Sequence, residues 1–275
     1  MRMQGEGVSH GAMTVVNAVS TGRGAALGVD LKVKVKVNIL ERETTVSTGS
    51  TLLDVVCKRF LERMGVNGLG VKLSIESEIP QAVGMKSSSA VVNALILALA
   101  DALGTKLEAK QVLKMNAQYS REAGVSITGA IDDAAACLLG GIRVTDNTQD
   151  AIVKSYAAKE EKVVFLIPKG VTRVDFKSKI DASLKHNALT AYTLALIGKY
   201  CEAINLNGFV YAHAFGYPEE PIILARRCGA VACGLSGNGP AYAALVEEEN
   251  LKKLIECWGE IGRIIVSRVY NGEAL

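Results

Sequence analysis

The sequence predicts an α+β protein of two domains, and three observations carry that prediction. At 275 residues the chain is long enough for two modest hydrophobic cores. Val71, Leu73 and Ile75 alternate with Lys72, Ser74 and Glu76, the period of a half-buried strand, and the almost wholly apolar run from Ala90 to Leu103 follows as a buried helix. Beyond a polar, turn-prone stretch at Asp146 to Asp150, strands and helices mix in an order that fits a split β-α-β sandwich. The boundary is therefore placed in that stretch, giving domains 1–148 and 149–275.

Taken in order, Ala12 to Val19 reads as a strand, Thr21 to Gly28 as a Gly-rich turn and Val29 to Ile39 as a second strand. Lys32, Lys34 and Lys36 alternate with Val33, Val35 and Val37, which marks a solvated strand face where lysines also discourage edge pairing. Thr51 to Met64 sets Leu52, Val55, Val56, Phe60 and Met64 at helical spacing, with Ser50 as cap and Gly65 as stop. Glu108 to Ala123 is an amphipathic helix stopped by Gly124; Asp132 to Leu139 is a short apolar one ended by Gly140 and Gly141, before a strand at Ile142 to Thr145. In the second half, Lys162 to Ile167 is a buried strand and Ala188 to Ile204 a helix, with another at Pro221 to Cys228. Ala230 to Gly234 and Ala241 to Val246 are strands flanking a second glycine loop. Glu248 to Trp258 is a helix with Trp258 in its core, and Arg263 to Tyr270 is the last strand.

Composition excludes several classes. Hydrophobic residues make up 49% of the chain, yet Asn93, Asp101 or glycines interrupt every apolar run before the roughly 20 residues of a membrane span. Gly5 to Gly11 lacks the apolar core of a secretion signal, so no membrane partner and a cytoplasmic location are expected. A net charge of +3 is too balanced to argue for nucleic acid. Cys57, Cys137, Cys201, Cys228, Cys233 and Cys257 show no C-x-x-C pairing and no nearby histidines, the pattern of free buried thiols. His10, His186 and His213 have no metal-ligand spacing and read as structural or surface residues. The apolar second half leaves room for a homodimer interface.

Chemistry concentrates in three places. Pro80 to Ala90, P-Q-A-V-G-M-K-S-S-S-A, joins a strand to a buried helix, where Gly84 frees the backbone and the three serines can cap a helix whose first N-H groups point into the loop. Such an end attracts phosphate, although Gly and Ser are also ordinary turn and cap residues. No G-x-x-x-x-G-K-[ST] string occurs and no G-x-G-x-x-G opens a helix after a strand, so any nucleotide loop here is of another kind. Gly234 to Pro240, G-L-S-G-N-G-P, is the second glycine loop, or else simply a glycine-rich hairpin. Thr128 to Ala135, T-G-A-I-D-D-A-A, puts two adjacent acids before a small-residue helix, where capping needs only one. Glu122 closes the preceding helix at its C-terminus, where a carboxylate gains nothing from the helix dipole, and a metal ion is one explanation.

This order of motifs resembles the GHMP kinase superfamily of small-metabolite kinases over almost the whole chain. The motif P-x-x-x-G-L-x-S-S-[SA]-A is matched by Pro80, Gly84, Met85, Ser87, Ser88, Ser89 and Ala90, with Met85 in place of Leu; the acidic motif is matched by Thr128, Gly129 and Asp132. Within it, His10 to Leu31 and Lys86 before three serines resemble the archaeal shikimate kinases, with homoserine kinase as the runner-up. The resemblance implies a two-domain GHMP kinase fold, with a ribosomal-protein-S5-domain-2-like N-terminal half and a ferredoxin-like C-terminal half. It implies ATP and Mg2+ as cofactors and shikimate as the small-molecule substrate, phosphorylated to 3-phosphoshikimate. ATP would lie on Pro80, Gln81, Ala82, Val83, Gly84, Met85, Lys86, Ser87, Ser88, Ser89 and Ala90, with Gly237 and Gly239, and Ser88 and Glu122 would hold the metal. Asp132 would take the acceptor proton, with Asp133 as the substitute one position on. Lys86 would either stabilise the phosphoryl oxygens or point into water. For the shikimate carboxylate the candidate is Arg23, otherwise an exposed turn arginine, and Asn17, Ser20, Thr21 and Asp30 are the candidates for its hydroxyls. Two readings outside enzymology are a noncatalytic nucleotide-binding module and an RNA-binding protein, the latter disfavoured by an aromatic content of 5%.

Overall fold

The computed structural model describes residues 3–40, 48–66 and 68–272. Its first half is built on a long antiparallel pair, β1 (Gln4–Val16) and β2 (Arg23–Leu40), joined through a short 3-10 turn at Ala18–Ser20. Both strands extend further than expected, and part of the Gly-rich stretch at Thr21 to Gly28 is strand, because its small residues pack against helices with no room for larger ones. Val33, Val35, Val37 and Ile39 turn into the core while Lys32 and Lys36 face solvent. β2 is not an edge: β1 flanks one side, and β3 (Gly70–Ser77) and β4 (Ile142–Asp146) flank the other. Its lysines instead make ion pairs across the open face, Lys34 with Glu6 and Lys36 with Glu76.

Four helices cover the other face of this sheet: α1 (Thr51–Arg63), α2 (Ser87–Ala102), α3 (Ala109–Glu122) and α4 (Ile131–Leu139). Beyond its serine-rich first turn α2 is almost wholly apolar and mostly buried, as a helix without a polar face must be. It lies directly on β1, where a Cβ at Gly7 would fall 2.1 Å from the Ala94 carbonyl oxygen. Buried amides tie the helices together. Asn116 donates to Ser89 O (3.0 Å) and to Asn93 Oδ1 (2.7 Å), while Asn93 donates to Ala134 O (2.9 Å).

The second sheet runs β7-β8-β6-β9, from β6 (Lys162–Pro168), β7 (Ala230–Leu235), β8 (Tyr242–Val246) and β9 (Gly262–Arg268), all antiparallel. α5 (Ala182–Leu196), α6 (Tyr200–Phe215), α7 (Glu220–Arg227) and α8 (Glu248–Gly259) complete it. This is the split β-α-β arrangement expected of the C-terminal half. Trp258 is fully buried and donates to Pro221 O at 2.9 Å. No described helix is long and apolar enough to cross a membrane.

Three sequence expectations need correction. The helix expected over Ala188 to Ile204 is two, α5 and α6, divided at Ile197 to Lys199, where Gly198 takes φ +83°. The polar turn Asp146 to Asp150 is a hairpin within the first sheet, since β4 pairs with β5 (Ala151–Tyr156). The chain changes sheets between Tyr156 and Lys162, and the hydrophobic core runs on across that change, with Val163 and Phe165 packed in the same cluster as Val33 and Leu95. Cys228 and Cys257 are not free thiols but a disulfide between α7 and α8, brought together from 29 residues apart. The other four cysteines are free.

Replacing Gly7 by Ala drives a methyl group into the α2 backbone. The expected loss is about 1–3 kcal/mol of stability, the usual cost of overpacking, measured as a lower denaturant midpoint with an unchanged slope.

Candidate active site

The stretch from Pro80 to Ala90 leaves the first sheet and enters α2 through left-handed backbone. Gly84 has φ +94°, and a Cβ there would sit 2.1 Å from the Ser236 carbonyl oxygen, so both its conformation and its neighbour require glycine. Lys86, at φ +63°, holds the cap position, which makes Ser87, Ser88 and Ser89 the first turn of the helix rather than its caps. No side chain caps this end. α4 begins in the same way, on left-handed Ala130 and without a side-chain cap, with Asp132 and Asp133 in its first turn. Both uncapped N-termini open into one cavity of about 350 Å³, and the unpaired N-H groups of such ends favour anions.

The second glycine loop closes the cavity over the first. Ser236 Oγ donates to Gly84 O (2.9 Å), and Ala241 N donates to Val83 O (3.0 Å). Gly237, Asn238 and Gly239 line the cavity. Gly237 N donates to Thr14 Oγ1 (2.7 Å), and Asn17 Nδ2 donates to Gly237 O and Asn238 Oδ1 (both 2.9 Å). Asn17 therefore lines the cavity but spends its amide on holding the loop.

The two acids are differently placed. Asp133 Oδ1 lies 2.8 Å from Lys86 Nζ, an ion pair whose angle leaves that oxygen without a directed hydrogen bond. Lys86 is thus paired inside the cavity and does not reach into water. Asp132 is 4% exposed and accepts a hydrogen bond from Asn147 Nδ2 at 2.8 Å. Its Oδ2 lies so near Gly24 that a Cβ there would approach to 2.4 Å. Burial first, and then the neighbouring Asp133, push the Asp132 carboxyl from 3.8 up to about 7, against the pull of Lys86 and Asn147. Asn147 also donates to Thr128 Oγ1 (3.3 Å) and accepts from Thr145 Oγ1 (2.7 Å). Arg121 makes two bonds to Asp150 (2.8 and 2.6 Å) and one to Thr128 O (3.4 Å), so the hairpin turn is tied to the end of α3 and to the loop that leads into the acids.

Several expected residues stand elsewhere. Glu122 faces α1, accepting from Arg59 Nε (2.6 Å) and Gln118 Nε2 (2.8 Å). Those partners, Gln118 foremost, hold its carboxyl below the usual range and account for its place at a helix C-terminus without a metal. Asp30 is on the far side of the sheet, bonded to Arg268 Nε at 3.0 Å. Arg23 lies 3.9 Å from Asp146 and over the Tyr192 ring, outside the cavity. Ser20 pairs with Tyr211 (2.5 Å), and Thr21 bonds within its own turn, to Ala18 and Arg23. Of the phosphate stretch, Ala82 and Gly84 to Ser89 line the cavity, whereas Pro80, Gln81, Val83 and Ala90 do not.

Sequence reasoning missed Arg173, Phe176 and Lys177, which line the same cavity from the irregular segment between β6 and α5. One Arg and one Lys in a polar loop carry no local signal. Nothing in their spacing links them to acids some forty residues upstream.

Two crossed glycine loops and two uncapped helix ends around an acid-lysine pair describe a GHMP-type kinase. Residues 50–141 match the family model described as the GHMP kinases N terminal domain. The homoserine kinase of Cytophaga hutchinsonii superimposes with a TM-score of 0.74 at 18% identity, covering 100% of this chain and 98% of that one. The mevalonate kinase of Methanococcus jannaschii gives 0.75 at 16% identity, over 98% and 99%; likeness at that identity speaks to the fold. Sequence relatives are nearer. A shikimate kinase of Methanosarcina mazei is 37% identical over 100% of this chain and 97% of its own, and one of Pyrococcus furiosus is 36% identical over 96% and 99%. The chain belongs to the archaeal shikimate kinases of the GHMP superfamily, and it is a kinase that uses ATP.

A carboxyl whose pKa rises on folding holds its proton more tightly folded than unfolded. Its contribution to stability is present below the unfolded value and is lost as pH rises through about 7. Asp132→Asn, which keeps the neutral form, should therefore melt higher than the parent at pH 8, by a margin that is smaller at pH 5 and closes only below the unfolded value of 3.8. Thermal melts at the two pH values check this.

Proposed function

We propose that the chain transfers the γ-phosphoryl group of ATP to a hydroxyl of shikimate, giving 3-phosphoshikimate. The observation that carries this reading is the Lys86–Asp133 pair, standing between two uncapped helix ends in one cavity. Phosphoryl transfer asks little covalent work of a protein; it asks for alignment and for positive charge where the equatorial oxygens gather it. Main-chain N-H groups of Ser87, Ser88 and Ser89 would receive the phosphates, and Lys86 would meet the transferred group. The exposed edge of the Asp133 carboxylate, whose Oδ1 is turned to Lys86, would accept the proton of the attacking hydroxyl as the new O–P bond forms and the bond to the β-phosphate oxygen breaks, releasing ADP. Asp132, buried and bonded to Asn147, is better placed to fix the helix end than to exchange protons with a substrate.

Magnesium binds hard oxygens and commonly shares them with substrate phosphates. Ser88 Oγ, exposed at the mouth of the cavity, fits that role, and Glu122 does not. Among the described residues no group of three His, Cys, Asp or Glu could hold an ion alone, which suits a metal arriving with the nucleotide. Bound there, it would neutralise phosphate charge.

For the acceptor carboxylate, Arg173 and Lys177 replace Arg23 as the candidates. A homoserine acceptor would also bring an ammonium group, and the cavity's carboxylates are already engaged, Asp133 by Lys86 and Asp132 by Asn147. That balance of charge favours shikimate. ATP is made and used in the cytoplasm, which supports the location expected from the sequence.

ADP release from ATP and magnesium, compared across shikimate, homoserine, mevalonate and galactose, should depend on shikimate alone. Turnover with another acceptor would keep the fold and discard this substrate. Asp133→Asn should lower kcat by about 10²–10⁴, the range of general acid-base assistance, with nucleotide affinity unchanged. Asp132→Asn should cost far less, and the reverse order would exchange their roles.

A further inference from the structure

The segment that brings Arg173 and Lys177 to the cavity has no regular structure before the 3-10 turn at Lys177–Lys179. Few bonds hold it. Phe176 packs on Phe215 with ring centroids 5.3 Å apart, and Lys179 Nζ reaches Phe215 O. Val171, Val174 and Ile180 also pack, partly buried, against the second core, and beside Arg173 the segment is hydrogen-bonded to the hydroxyl of Tyr217, which accepts from Val174 N (3.1 Å) and donates to Asn238 O (3.0 Å). One oxygen atom thus joins the residue next to Arg173 to the second glycine loop. Tyr217 is 4% exposed, and its ring packs so closely on Gly239 that a Cβ there would meet it at 2.6 Å. Both strands of the contact are therefore fixed, and the ring itself touches no space where a ligand would lie.

Resting on the reading that this segment faces the acceptor, we propose that the Tyr217 hydroxyl is a positioning group that sets acceptor affinity by holding the Arg173 and Lys177 segment at its distance from the phosphate loops. A hydroxyl that both donates and accepts can be removed without changing the shape of the ring. Tyr217→Phe leaves Val174 N and Asn238 O without that partner and loosens the segment beside Arg173, while the second glycine loop keeps its bonds to Thr14, Asn17 and Gly84 and the Lys86–Asp133 pair stays as it was.

The test is steady-state kinetics on the full chain with shikimate and ATP. Tyr217→Phe should raise the shikimate KM about 2- to 10-fold, the worth of one neutral hydrogen bond, while kcat and the ATP KM stay within about twofold. An unchanged shikimate KM overturns the proposal. So does an equal rise in the KM of ATP, which would mark a general loosening. Arg173→Ala separates the two ideas: if it leaves the shikimate KM alone, the reading of Arg173 fails, and a raised KM in Tyr217→Phe then still supports Tyr217 as the anchor of Lys177. If Arg173→Ala does raise it, adding Tyr217→Phe should raise it by less than in the parent. The same full factor in both backgrounds would show that Tyr217 does not act through the segment, and would overturn the proposal.

Discussion

The lock between the two glycine loops is the contact on which the rest of the site depends. Ser236 to Gly84 and Ala241 to Val83 join a loop of the second sheet to a loop of the first, 152 residues apart in the former case. Thr14 and Asn17 fasten the same second loop to β1 and the turn after it. The cavity is therefore not a property of either half. Its floor is the start of α2, its lid is Gly237 to Gly239, and neither is in place without the other.

The acids rely on a second constraint, carried by buried amides. Asn93 and Asn116 join α2, α3 and α4 at their inner faces, and Asn147 reaches from the β4–β5 hairpin to Asp132. Each such bond contributes only about 0.5–1.5 kcal/mol net, but an unpaired buried partner costs more, so the network resists any arrangement that breaks one member. It fixes the relative position of two helix ends. That relative position decides whether Lys86 and Asp133 meet.

How much of this is readable in the sequence follows from the range of the interactions. Gly84, the serines and the alternation of Val71 to Ile75 are local features, and local chemistry located the phosphate loop and its flanking elements. The second loop was found because Gly237, Gly239 and Pro240 crowd together. Long-range pairings left no trace. Glu122 reads as misplaced at its helix C-terminus because the charge that balances it, Arg59, is 63 residues away, although its other partner Gln118 is only four residues before it, and Asp30 reads as a substrate group because Arg268 is 238 residues away. Arg173 was missed for the same reason in reverse. The hairpin at Asn147 and Asp150 has the composition of a linker, and only its bonds to Asp132 and Arg121 distinguish it from one. Apolar spacing continues across Ile197 to Lys199, so one helix was read where Gly198 makes two.

The loop lock can be tested at the single atom position it leaves no room for. Gly84→Ala puts a methyl group 2.1 Å from Ser236 O and into a conformation that alanine resists. Calorimetric titration of ATP with this variant, alongside a thermal melt to establish that it folds, measures the consequence. The account predicts a folded protein whose ATP affinity falls about tenfold or more, because even 1.4 kcal/mol of misplacement is a factor of ten. A folded variant with the parent's affinity would contradict it, since the cradle would then form without the lock.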